Sequence, residues 1–168
     1  MPVGFTVRIA TPTDDARVSD LLKASYTELM PTAYDAATLA LVLPAMTRAN
    51  PALLATGTYF VAETVNGHIV GCGGWTKERP GSGDVALGLG HIRHFATHPN
   101  WLGRAIGRTI YDSSEAQAHS AGIRQFECYA SLNAEGFYAA LGFTPVRRVE
   151  VQMGEDMTFP SILMVRSI

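Results

Sequence analysis

Lysine is almost missing from this chain of 168 residues: only Lys23 and Lys77 occur, and the formal net charge is −2. Apart from the pair Arg147–Arg148 there is no basic cluster. Nucleic-acid binding wants a concentrated cationic footprint, so that class is excluded. Cysteine is scarce as well. Cys72 and Cys128 stand alone, with no CxxC spacing, which argues against a disulfide scaffold or a thiolate metal site. Two isolated thiols fit buried strand positions and a reducing cytoplasm, where we expect the protein to work. No apolar run reaches the length of a membrane span, so no membrane association is expected. The first ten residues lack the basic and long apolar regions of a secretory signal. What is abundant is apolar surface: 47% hydrophobic residues against 17% charged. That balance and length indicate one globular domain over residues 1–168.

The hydrophobic pattern alternates between strand and helix periods. Residues 5–10 alternate as a strand. Thr13 or Asp14 can cap a helix carrying Val18, Leu21, Leu22 and Leu29, which Pro31 ends. Residues 35–56 look helical with interruptions at Pro44 and Pro51. Residues 58–63 and 68–75 form strands joined by Asn66-Gly67, a hairpin signal. A polar loop covers 77–84, and a long strand is expected over 85–98. A helix then runs to about Ser120, ended by Gly122. Strand 123–130, a short helix over 133–141, and strands 143–153 and 162–168 complete the order βαα-βββ-α-β-α-ββ. The expectation is a mixed α/β sheet.

One stretch carries chemistry. From Val85 to Tyr111 there is no Asp or Glu, yet the span holds Arg93, Arg104, Arg108, His91, His94 and His98. Within it, WLGRAIGRTI puts Gly103 and Gly107 four apart and Arg104 and Arg108 four apart at a helix start. Cations there oppose the helix dipole and repel each other. Strand, glycine turn and helix N-terminus in succession present free N–H groups to an anion. Two readings fit: the arginines face a phosphate, or they are solvated while Gly107 packs on the sheet. Neither phosphate-loop pattern applies. The Walker spacing is one residue short with Arg108 in place of Lys, and Gly88/Gly90 lacks a third glycine.

HIRHFATHPNWLGRAIG resembles the central signature of the GCN5-related N-acetyltransferases, Arg/Gln-x-x-Gly-x-Gly/Ala after a strand that often ends in His-Pro. His98-Pro99 and Gly107 match, whereas Leu102 and Ala105 replace the expected Arg/Gln and first Gly. ASLNAEGFYAALGFTPV is similar to the family's Ala-x-x-Phe-Tyr-x-x-x-Gly-Phe through Ala134, Phe137, Tyr138, Gly142 and Phe143. Ser131 stands where Asn is common, and GHIVGCGGW looks like the family's third strand.

The resemblance implies an α/β fold with a mixed, mostly antiparallel sheet of about seven strands flanked by about four helices. It implies acetyl-CoA as co-substrate, in a cleft between the fourth and fifth strands. The backbone of Phe95, Ala96 and Thr97 would pair with the pantetheine arm, with Ser131 on the facing strand. The N–H groups of Gly103, Arg104, Ala105, Ile106, Gly107 and Arg108 would hold the pyrophosphate, provided Ala105 keeps a right-handed helical φ. Tyr138 matches the family's general acid, suited to a leaving thiol. The position of the histone-modifying branch's glutamate falls on His91, a residue able to act as base near neutrality; ordered water, Glu63 and Glu127 are alternatives. Tyr26, Met30, Tyr34 and Trp75 are candidates for lining the acceptor site. The acceptor is an amine of a small molecule or peptide, and a homodimer is left open. Two other readings compete: a non-catalytic acyl-CoA sensor, and a metal-binding protein using the three histidines. A strand sends His91 and His94 to opposite faces, so no metal is expected.

Overall fold

The computed structural model describes residues 4–153 and 156–168. Seven strands form one open sheet in the order β1-β2-β3-β4-β5-β7-β6. They are β1 (Phe5–Ile9), β2 (Tyr59–Thr64), β3 (Ile69–Thr76), β4 (Leu89–Thr97), β5 (Gln125–Ser131), β6 (Thr144–Gln152) and β7 (Thr158–Ser167). The helices are α1 (Asp15–Leu29), α2 (Ala36–Met46), α3 (Pro51–Leu54), α4 (Ile106–Ser120) and α5 (Glu135–Ala140). Every strand pair is antiparallel except β4–β5.

Alternation along β2 assigns the two faces. Val61 joins Val18, Leu22 and Val42 beneath α1 and α2. Phe60 and Ala62 join Ile106 and Ile110 beneath α4. Further along the α4 side, Trp75, Tyr111, Phe126, Leu141 and Met164 close the second half of the core. The helices therefore cover both faces, and each reads as an apolar stripe on one side.

Four sequence expectations shift. About four helices are expected and the described residues form five, because Asn50 caps a separate turn that opens with Pro51, its side chain accepting from Ala52 and Leu53 N–H. Pro44 sits inside α2 without ending it. The fourth strand starts at Leu89, after Gly88 turns the chain at φ +75°. The last strand starts at Thr158, four residues before the expected 162. Pro160 is tolerated in it because β5 ends opposite Ser161, so Pro160 faces β6 alone.

A corner of the fold is locked by charge. The Asp14 carboxylate accepts from Arg8 at 2.8 and 2.9 Å and from Arg17 at 2.6 Å. Arg8 and Arg17 also reach Glu63, at 3.2 and 2.7 Å, tying β1, α1 and β2 together. The Asp14 side chain is buried. Hydrogen bonds from Arg8 hold its pKa down at about 2 against the burial that opposes them.

Candidate active site

The site begins where two strands part. β4 and β5 share only three register pairs, Leu89↔Gln125, Gly90↔Phe126 and His91↔Glu127. Beyond them each strand keeps its other neighbour, β3 or β7. The edges facing each other carry free backbone groups, which a ligand must satisfy. The separation has a local cause. Between Cys72↔Ala96 and Gly74↔Arg93 the register slips, so His94 and Phe95 together face Gly73. His94 takes φ +41° to make this bulge. Gly73 is required there, because a Cβ would fall 2.6 Å from the Phe95 ring.

Hydroxyls from neighbouring elements pin the bulge. Tyr59 donates to the His94 carbonyl at 2.6 Å, and Tyr26 reaches the Phe95 carbonyl at 3.4 Å. Both tyrosines are buried, and desolvation raises their pKa, so both remain donors.

A cavity of about 390 Å³ opens beside the bulge. Tyr138, Phe95, His94, Arg93 and Ser131 line it, with Tyr26 from α1 and Met30 from the turn that follows α1. The structure thus gathers Tyr138, Phe95 and Ser131 at one place. Tyr138 is buried in a cage of rings, edge-on to Phe95, Phe137 and Phe143. Burial raises its pKa well above the ordinary value, with the Cys128 thiol as its polar neighbour. Its hydroxyl therefore stays protonated. The Cys128 thiol, also buried, is pushed up to about 12 and stays neutral.

The expected base, His91, is not among the residues lining this cavity. It is buried, with Nδ1 3.7 Å from Glu127 Oε1, too long for a hydrogen bond. Desolvation lowers its pKa. The other expectations for the acceptor side divide. Tyr26 and Met30 line the cavity, whereas Tyr34 stacks on Phe159 at 4.4 Å and bridges Leu132 N–H and the Pro160 carbonyl. Trp75 is buried on the α4 side, donating to Gln117 Oε1 at 2.8 Å. Glu63 belongs to the Arg8–Arg17 corner, and Glu127 pairs with Arg79.

Sequence reading had placed His94 only in the rejected metal set. The bulge turns it into the cavity, a consequence of backbone geometry that residue spacing does not carry. The residue is exposed where it lines the cavity, and the packing around it together with the adjacent Arg93 pushes its pKa down, so the imidazole is neutral at pH 7. Among the described residues there is no group of three metal-ligating side chains.

The other end of the cleft is the turn into α4. Gly103 takes φ +77°. Ala105 takes φ +60° and ψ +24° as the N-cap, left-handed rather than helical. The expectation for Ala105 is thus corrected: entry from the glycine turn into α4 forces the left-handed region, which strains a residue with a Cβ. The first N–H of this turn with a partner is that of Thr109, on the Ala105 carbonyl. Among the described residues, no acceptor meets the N–H groups from Gly103 to Arg108. Six free donors at a helix start form a fitting cradle for a diphosphate.

The two arginines of this turn separate. The Arg104 guanidinium lies 4.5 Å above the Trp101 ring, and Arg108 donates to the Ala140 carbonyl at 2.9 Å. Both side chains are exposed beside the turn. Gly107 serves packing: a Cβ there would fall 2.6 Å from the Phe137 ring.

A split parallel pair, a bulged fourth strand and a free helix start define an acyl-CoA-binding transferase. The family model of the acetyltransferase (GNAT) domain matches residues 32–158. The chain belongs to the GNAT acetyltransferases, and its activity is acyl transfer from a CoA thioester to an amine. Solved structures share the fold. A GCN5-related N-acetyltransferase from Rhodopseudomonas palustris is 24% identical, with a TM-score of 0.74 over 98% of this chain and 96% of that one. PaiA N-acetyltransferase from Thermoplasma acidophilum, in complex with coenzyme A, is 12% identical with a TM-score of 0.72 over 98% and 99%. A GCN5-related N-acetyltransferase from Kribbella flavida is 18% identical with a TM-score of 0.64 over the whole of both chains. No curated protein matches the chain. No helix among the described residues is long and apolar enough to cross a membrane.

Proposed function

We infer that the donor is acetyl-CoA and that the acetyl group passes directly to a primary amine within one domain. The observation that carries this reading is the cavity shared by Tyr138, His94 and Phe95 at the point where β4 leaves β5. The pantetheine arm would run along the free edges, using the backbone of Phe95, Ala96 and Thr97 on β4 and reaching Ser131 on β5. The diphosphate would rest on the N–H groups from Gly103 to Arg108. Arg104 and Arg108 stand close enough to add charge.

His94 is the better base than His91, since it faces the cavity and is neutral at pH 7. It would take the proton as the amine nitrogen bonds to the acetyl carbon. The carbon–sulfur bond breaks, and the Tyr138 hydroxyl protonates the departing thiolate. Backbone N–H groups at the bulge would stabilise charge developing on the acetyl oxygen. The two buried free thiols fit a cytoplasmic enzyme.

The test is thermal stability titrated with acetyl-CoA, CoA and an adenine nucleotide, then thiol release with a panel of amines. At ~100 times its dissociation constant, CoA should stabilise the fold by about 2.7 kcal/mol. His94→Asn, which tolerates a positive φ, should keep that shift and lower turnover by ~100-fold. A shift without release for any amine would favour a sensor. No shift would count against CoA binding.

A further inference from the structure

Five arginines of this protein are half-buried: Arg8, Arg17, Arg79, Arg93 and Arg166. Four of them have a carboxylate within 4 Å, namely Asp14 or Glu63 for Arg8 and Arg17, Glu127 for Arg79 and Glu115 for Arg166. Arg93 is the exception. Among the described residues its Nη1 donates to Thr76 Oγ1, at 3.1 Å, and that hydroxyl in turn donates to the Glu78 carbonyl. Glu78 acts on Arg93 only through space, and desolvation lowers the pKa of the guanidinium. Apart from that bond the guanidinium keeps donors that are not buried, so an anion entering the cavity can reach them.

Arg93 lines the reaction cavity, next to His94 in the chain. A second cation, Arg48, lines the same cavity, and the same small recess as His94. No carboxylate lies within 4 Å of Arg48 among the described residues, and no described Asp or Glu lines the cavity. The described charged lining is therefore cationic and disfavours polyamines and other simple cations. It also lowers the pKa of a bound ammonium, favouring the neutral nucleophile.

We propose that the acceptor is a small amino acid-like molecule whose carboxylate docks on Arg93, with Arg48 at the second position, while its amine faces His94 and the thioester. The proposal rests on the acetyltransferase reading above. Guanidinium and carboxylate geometries match in a bidentate pair. Arg93 is two residues from Phe95, roughly 7 Å along the strand, so amine and carboxylate must lie a few bonds apart. The cavity of about 390 Å³ is at the small end for ligand sites, which suits such a molecule. The step balances as amine plus acetyl-CoA giving the N-acetylamino acid plus free thiol.

The experiment uses matched pairs, L-amino acids against the amines they become on loss of the carboxyl group: methionine with 3-(methylthio)propylamine, phenylalanine with phenethylamine. CoA stabilisation is measured first on the same sample. With stabilisation present, the best amino acid should exceed its partner amine by ~10- to 100-fold in kcat/KM, the range of one charge-assisted contact. Arg93→Gln should raise KM for the amino acid and erase the preference, and Arg93→Lys should restore part of it. Arg48→Gln, on a more exposed side chain, should reduce the preference without risk to the fold. Equal or better use of the decarboxylated amines, or an unchanged preference in Arg93→Gln and Arg48→Gln, would overturn the proposal and leave the acetyltransferase reading intact. If no amine turns over, the CoA complex is titrated with N-acetylglycine and N-methylacetamide. A larger thermal shift for the carboxylate supports the proposal, and equal shifts overturn it. Failure of CoA itself to stabilise the protein would instead strike the reading beneath.

Discussion

Arginine is used in two opposite ways at the two ends of this sheet. At the β1–β2 corner, Arg8 and Arg17 converge on Asp14 and Glu63, and every charge has a counter-charge. At the β4–β5 split, among the described residues, the turn into α4 keeps its N–H groups unpaired and Arg93 has no carboxylate within 4 Å. The corner satisfies its own polar groups, so it adds stability and carries no ligand. The split leaves them unsatisfied, so its stability is completed by what binds there. Unpaired groups in an otherwise well-paired molecule mark the functional end.

The sharpest way to break this contrast is at Tyr138. Tyr138→Phe should lower kcat by ~100- to 1,000-fold while CoA stabilisation is retained, because only the proton donor is lost. Thiol release and thermal shift on the same variant separate the two effects. A loss of CoA stabilisation would mean that the ring cage, not the hydroxyl, is what matters.

Next in size is the corner itself. Asp14→Ala should cost about 3 kcal/mol in denaturant unfolding, leaving Arg8 and Arg17 partly buried without their shared partner. Its activity per folded molecule should be unaltered. The pH dependence has a definite sign. The folded pKa of about 2 is below the ordinary 3.8, so the stabilisation is full above about pH 4 and fades as pH falls toward 2. Asp14→Asn should flatten that part of the stability profile. An equally steep acid limb in Asp14→Asn would assign it to other carboxylates.

Smaller effects are expected at the turn. Gly107→Ala should destabilise by about 2 kcal/mol through its clash with Phe137, and Phe137→Leu in the same chain should recover part of it. No coupling between the two would refute that contact. Smallest is Ala105→Gly. Release from φ +60° should stabilise by about 0.5–1 kcal/mol, net of the extra freedom of glycine in the unfolded chain. A destabilised variant would show that the Ala105 methyl contributes more than its strain.

The succession of elements along the chain and the Asn66-Gly67 hairpin are legible from period and turn residues, whereas the β7–β6 inversion in the sheet and the separate α3 are not. The resemblance through Phe137, Tyr138, Gly142 and Phe143 led to the fold and to Tyr138. Other features were hidden because they depend on partners distant in the chain. Pro160 lies before the expected last strand, and only the end of β5 at Ser131 makes it tolerable inside β7. Gly107 could be read as a phosphate glycine or as a packing glycine; its close approach is to Phe137, thirty residues onward, a partner the sequence could not name. Strand alternation separates His91 from His94, but only the tertiary structure shows that it is His94 that lines the cavity.

What this sequence determined by itself was the alternation of elements, the gap in acidic residues from Val85 to Tyr111, and the motifs that place the chain among acetyltransferases. Those signals are local, set by periods of two and 3.6 residues and by side-chain type. Tertiary structure alone decided which histidine faces the cavity, that Ala105 is left-handed, and that no described carboxylate lies within 4 Å of Arg93. Each of these depends on where a second or third segment lies, and charge pairing and backbone strain are properties of that arrangement rather than of any stretch of residues.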